Sequence, residues 1–73
     1  MTELGLLFSK RSVNRSDVSR KTGISKTRLS ELANNKRTRL TADELYLIGL
    51  AIGVTPCEVL NEVCKDLNLI ESK

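Results

Sequence analysis

Positively charged side chains are concentrated in one part of this 73-residue chain, and clustered cations are suited to binding the phosphates of a polyanion. Residues 9–40 carry ten Lys and Arg side chains but only two acids, Asp17 and Glu31, a net charge of +8. Residues 1–8 add −1 and residues 41–73 add −4, which gives the net charge of +3. The asymmetry indicates a polyanion-binding face on a non-binding core, although a solvated helical surface fits the charges equally well.

The other residue types give little support for catalysis. The chain has no His and no Trp, which excludes imidazole catalysis and His-containing metal sites. Its two aromatic residues, Phe8 and Tyr46, are too few to stack the bases of single-stranded nucleic acid. The only adjacent carboxylates, Asp43 and Glu44, fit the first turn of a helix. With no nucleophile–base pair and no Gly-rich phosphate loop, we expect no enzyme and no cofactor.

Cysteine usage and hydropathy predict the cellular compartment. Cys57 and Cys64 make at most one bridge, and two ligands make no zinc site, so we expect no metal and reduced thiols that are buried or partly buried. The apolar stretch 4–8 is too short for a signal peptide. The longest uncharged run, 45–57, is shorter than the roughly 20 residues that span a bilayer. We expect a cytoplasmic protein without a membrane partner.

Capping residues divide the chain into five short helices, which predicts an all-α domain over residues 1–66 and a short tail over residues 67–73. The helices are expected to begin after the N-cap residues Thr2, Asn14, Ser25, Thr41 and Thr55. Gly23 and Gly53 are expected to end the second and fourth helices. The fourth segment also resembles a buried strand, but its capping box, Gly53 and the lack of a partner strand favour a helix. In the fifth helix the apolar spacing continues from Val59 through Leu60, Val63 and Cys64 to Leu67.

The second and third helices, joined by a tight turn at Gly23, form a helix-turn-helix pattern. Leu29, Leu32 and Ala33 form one apolar stripe of the third helix. The opposite face is polar, with a cation on each flank: Thr27, Ser30, Glu31 and Asn34, flanked by Lys26 and Arg28. A helix held in this way is suited to enter the major groove of a DNA duplex.

The segment from residue 14 to 32, NRSDVSRKTGISKTRLSEL, resembles the helix-turn-helix of the Cro/CI-type (XRE-like) family of phage and bacterial regulators. The segment GVTPCEVL at residues 53–60 resembles the closing turn and fifth-helix start of that family. The resemblance covers residues 4–60. It implies a compact, five-helix, lambda-repressor-like domain with the helix-turn-helix at helices 2 and 3. It also implies a bacterial or phage-encoded, nucleoid-associated protein whose partner is double-stranded DNA.

The resemblance and the polar face together predict the DNA-contacting residues. Base contacts are expected from Ser25, Lys26, Thr27, Ser30, Glu31 and Asn34. Contacts to the phosphate backbone are expected from Arg15, Arg28, Asn35, Lys36, Arg37 and Arg39. Two interpretations of Glu31 stay open, because it can accept from a cytosine amino group or pair with Arg28 three residues earlier.

The sequence also predicts an apolar surface that needs a partner. Leu47 and Leu50 point away from the core-facing side of the fourth helix, and the tail adds Leu67, Leu69 and Ile70. Either the tail folds over the fourth helix or these residues form a homodimer interface, which we favour. The predicted function is a sequence-specific transcriptional repressor. Its alternatives are an antitoxin-like module that binds another protein, with DNA binding secondary, and a non-specific nucleoid-type binder.

Overall fold

The computed structural model describes residues 1–70, which form five helices. These are α1 (Glu3–Lys10), α2 (Arg15–Thr22), α3 (Lys26–Asn34), α4 (Ala42–Ile52) and α5 (Pro56–Val63). Each begins after its predicted N-cap residue, whose side chain accepts a hydrogen bond from a backbone N–H of the first turn. The all-α, five-helix prediction is therefore confirmed.

The core lies where α3 packs against α1 and α2, and where α4 packs against α2 and α5. Leu29 of α3 and Ile48 of α4 are completely buried. The remaining buried apolar side chains come from α1, α2, α3, α5 and the residue before Thr55: Leu4, Leu7, Phe8, Val18, Leu32, Ala33, Val54 and Val59. The α3 stripe predicted from the sequence is thus the central element of the core, and the opposite face of α3 is left for other contacts.

The predicted apolar stripe of α5 is partly wrong. The helix ends at Val63 instead of continuing to Leu67, and both Leu60 and Leu67 are exposed. Each residue turns a helix by about 100°, so burying Val59 leaves Leu60 to one side and directs Cys57 away from the core. Cys57 is accordingly exposed, which corrects the expectation that both thiols are at least partly buried.

Beyond α5 the chain makes a turn at residues 64–66, and residues 67–70 are irregular and exposed. The last three residues of the predicted tail, 71–73, lie outside the described part of the chain. Within residues 1–70 no single helix is long and apolar enough to cross a membrane. Only α4 and α5 taken together reach that length and hydropathy, and they are bent by 118° at their junction.

Candidate nucleic-acid interface

The direction in which α3 leaves the turn is set by a chain of local hydrogen bonds. Gly23 adopts a left-handed backbone with φ of 80°, which favours glycine. The Thr22 hydroxyl donates to the carbonyl of Val18 at 2.7 Å and accepts from the N–H of Ile24 at 3.1 Å. Ser25 then caps α3 by accepting from the N–H of Arg28 at 3.1 Å. The turn is therefore closed by its own side chains, and the first turn of α3 has a fixed position.

The other end of α3 is held by the first residues of the chain. The Thr2 N–H donates to the carbonyl of Ala33 at 2.9 Å, and the Thr2 hydroxyl lies 2.7 and 2.9 Å from the carbonyls of Leu32 and Ala33. These carbonyls belong to the last turn of α3, where carbonyl groups have no N–H partner within the helix. α1 approaches so closely that a Cβ on Gly5 would lie 2.2 Å from the Ala33 oxygen. Both ends of α3 are thus anchored.

The outward face of α3 carries the residues expected to contact bases. Lys26, Thr27, Glu31 and Asn34 are exposed, as is the N-cap Ser25. Ser30 is half-buried because the first residue of α2 reaches over it. The guanidinium Nη1 of Arg15 lies 3.4 Å from the Ser30 hydroxyl, and the same guanidinium stands 5.8 Å above the ring of Phe8. Arg15 is therefore placed beside α3 by contacts with both neighbouring helices.

Residues 35–39, the basic loop, follow α3 and lead toward the start of α4. The side-chain oxygen of Asn35 accepts from the N–H of Arg37 at 2.9 Å, and the Asn35 carbonyl accepts from the N–H of Thr38 at 3.1 Å. These bonds form a tight turn and leave Lys36, Arg37 and Arg39 exposed. Lys36 also lines a groove between the start of α1 and the end of α5.

Arg28 joins three segments through its guanidinium. Its Nε and Nη2 donate to the two carboxylate oxygens of Glu44 in α4 at 2.8 and 3.0 Å, and Nη2 also donates to the carbonyl of Arg39 at 2.8 Å. The Arg28 bonds, together with those from Thr41, lower the pKa of Glu44 to about 2 from an ordinary value of 4.5. The expected alternative of an Arg28–Glu31 pair is wrong, because Arg28 is paired with Glu44 instead.

Ion pairs divide the cations of the helix-turn-helix and the basic loop into those that have a carboxylate partner within residues 1–70 and those that do not. Asp17 binds both Arg20 and Lys21 on α2, and the pKa of its carboxyl is lowered chiefly by the Lys21 hydrogen bond. In the described part of the chain, the remaining cations of this region that flank α3 have no carboxylate within 4.0 Å: Arg15, Lys26, Lys36, Arg37 and Arg39. Their charge is therefore available to an anionic ligand.

The fold and this surface define the class of the protein: a helix-turn-helix domain, all-helical in residues 1–70, whose exposed helix is flanked by cations, most of which have no carboxylate within 4.0 Å in that part of the chain. Residues 3–65 match the family of Cro/C1-type helix-turn-helix DNA-binding domains, and the chain belongs to this family. It is therefore a DNA-binding protein of the transcription-regulator type, in a family that is typically not enzymatic. Among residues 1–70 no cluster of three or more potential metal ligands occurs. Comparison with curated proteins and with solved structures gives no match.

The structure brings together residues that are distant in the sequence, and these pairs were not predicted. Arg15 meets Ser30, Arg28 meets Glu44, and Thr2 reaches the end of α3. Thr2 and Glu44 were predicted only as helix-capping residues, a role that both have. Their long-range contacts have no signal in a single sequence, because neither pair lies within one helix turn.

Proposed function

We propose that this protein is a sequence-specific repressor of transcription that reads duplex DNA by placing α3 in the major groove. The observation that carries the proposal is the anchoring of α3 at both ends, with Thr27, Glu31 and Asn34 exposed between cations. An α-helix fits the major groove, where each base pair presents a distinct pattern of hydrogen-bonding groups. The residues proposed to contact bases are Ser25, Lys26, Thr27, Ser30, Glu31 and Asn34.

The phosphate backbone is proposed to be held from three sides of α3. Arg15 lies at the start of α2, Arg28 on the flank of α3, and the rest in the basic loop: Asn35, Lys36, Arg37 and Arg39. Arg28 uses Nε and Nη2 for its protein contacts, which leaves Nη1 available for a phosphate. Such contacts position the protein on the duplex and carry no sequence information themselves.

The test is selection of bound duplexes from a fully randomised DNA pool at physiological salt, followed by sequencing. The proposal expects enrichment of one short motif. Binding without enrichment would support a non-specific, nucleoid-type binder instead. A protein that binds no duplex at all would contradict both and favour an antitoxin-like module. An enriched motif also supplies the operator needed to measure repression in a reporter gene of a bacterial or phage host, where we place the protein in the cytoplasm, on DNA.

We also propose that the protein acts as a homodimer on a palindromic site. Leu47 and Leu50 of α4 are 39% and 58% exposed, and in the tail Leu67, Leu69 and Ile70 are exposed as well. Apolar side chains that remain uncovered in the single chain support an interface between copies. A dimer would place its half-sites about 34–36 Å apart, or a multiple of that distance.

Sedimentation of the wild type and of a Leu47→Glu/Leu50→Glu variant tests the dimer. A concentration-dependent mass that falls to that of a monomer in the variant is expected. A monomer mass at all concentrations would refute the dimer. Co-purification of a stoichiometric small protein, lost in the same variant, would identify the surface as the site of the antitoxin-like alternative.

A further inference from the structure

An acidic residue lies at the centre of the contacts that connect the two DNA-binding segments. Glu44 belongs to the first turn of α4, outside the helix-turn-helix, yet both of its carboxylate oxygens accept hydrogen bonds from Arg28 of α3. The same guanidinium donates to the carbonyl of Arg39, the last residue of the basic loop. The Arg28 side chain therefore connects α3 to both α4 and the basic loop, and within residues 1–70 the Glu44 carboxylate is the only one that forms an ion pair with it.

We propose that Glu44 is a positioning residue for DNA binding, which acts through Arg28 to hold α3 and the basic loop in one fixed arrangement. The proposal rests on the proposed function, because it concerns how α3 and the loop engage a duplex together. Glu44 itself need not touch DNA.

The geometry of the pair supports this role. A two-pronged contact between a guanidinium and a carboxylate fixes the plane of the guanidinium as well as its distance. Glu44 is itself fixed on α4, since its carboxylate accepts from the N–H of Thr41 at 3.0 Å and its own N–H donates to the Thr41 hydroxyl at 3.2 Å. The Glu44 side chain is only 17% exposed, so solvent competes little for these bonds. Arg28 is thereby aimed at the Arg39 carbonyl.

Loss of the carboxylate would release this arrangement. Arg28 would gain rotational freedom, and the carbonyl of Arg39 would lose a fixed donor. Before binding, the loop that carries Arg37 and Arg39 would then sample many conformations. Binding to DNA would restrict the loop to a few of them, and this loss of conformational entropy would lower the affinity. Loss of the Glu44 carboxylate should therefore weaken DNA binding, whereas simple electrostatics predicts that removal of a negative charge strengthens binding to a polyanion.

The experiment compares Glu44→Gln with Asp43→Asn in binding to a mixed-sequence DNA duplex, measured by fluorescence anisotropy at a temperature where circular dichroism shows each variant folded. Gln retains an oxygen for the capping box, so the cap is kept while the charge is lost. Glu44→Gln is expected to weaken binding about fivefold, which corresponds to about 1 kcal/mol. Asp43, an exposed neighbour in the same turn with no ion pair in residues 1–70, is the matched control. Asp43→Asn is expected to leave binding unchanged or tighter.

A double-mutant cycle separates positioning through Arg28 from any other effect of Glu44 on the fold. In an Arg28→Gln background, Glu44→Gln is expected to cause no further loss, because its partner is already gone. An equal loss in both backgrounds, or tighter binding by Glu44→Gln alone, would overturn the inference. Either result with a wild type that binds the duplex leaves the proposed function standing. A wild type that binds no duplex would overturn both.

Discussion

The affinity of this protein for DNA should fall steeply with salt, with a slope set by the proposed phosphate-contacting cations that have no carboxylate within 4.0 Å in residues 1–70. These four cations are Arg15, Lys36, Arg37 and Arg39. If each neutralises one phosphate, log K falls with log salt by about 0.9 per contact, or about 3.6 per subunit and about 7 for a dimer. A rise from about 50 to about 200 mM KCl would then weaken binding about 150-fold per subunit.

Fluorescence anisotropy of a labelled mixed-sequence duplex, titrated at several KCl concentrations, measures this slope. Arg37→Gln should reduce the slope by about 0.9 per bound subunit because one phosphate contact is lost. Arg20→Gln is the matched control, since Arg20 already has Asp17 as a partner, and it should change the slope by less than half as much. A wild-type slope below about 2 per subunit, or equal changes in the two variants, would refute the assignment of the phosphate contacts.

Three further predictions concern stability and specificity. The folded state lowers the pKa of Glu44 to about 2, so its pairing with Arg28 stabilises the fold fully above about pH 5. This contribution to the free energy of unfolding is about 1–2 kcal/mol after solvent screening, and it is lost as the pH falls toward 2. Urea unfolding should accordingly show Glu44→Gln less stable than the wild type at pH 7, with the difference reduced to about a quarter at about pH 2.5; a constant difference would contradict this origin. Gly5→Ala should lower the free energy of unfolding by about 2–3 kcal/mol, because its methyl group would meet the carbonyl of Ala33; a neutral substitution in thermal melts would show that α1 can move aside. Lys26→Ala should relax the selected DNA motif at one base pair, and a motif weakened equally at all positions would make Lys26 a phosphate contact instead.

The boundaries of the helices could be predicted from the sequence because their determinants are local. A Ser, Thr or Asn side chain caps a backbone N–H only two or three residues away, and Gly23 ends α2 through its own backbone conformation. The buried stripe of α3 follows from the helical repeat alone, since Leu29, Leu32 and Ala33 fall on one side of the helix whatever packs against it. Membership of the Cro/CI-type family could be recognised for the same reason, from contiguous segments.

The contacts that anchor α3 could not be predicted, because they depend on how the helices pack. Thr2 and Ala33 are separated by 31 residues, and Arg28 and Glu44 by 16, so no helical spacing relates them. The apolar stripe that the sequence predicts for α5 extends too far, to Leu67, for a related reason. Apolar spacing shows which residues share a face, but it does not fix the residue at which a helix ends, which in α5 is Val63.

The hydrogen bonds between Thr2 and the last turn of α3 give the DNA-reading helix a dependence on a distant part of the chain. Fraying of the first turn of α1 would leave the carbonyls of Leu32 and Ala33 without those donors, so the two segments should open as one cooperative unit. In hydrogen exchange, the backbone amides of Thr2 and Asn35 would then lose protection together, although 33 residues separate them along the chain. The lifetime of the last turn of α3 in the absence of DNA therefore depends on how stably the first few residues of the chain are held against it.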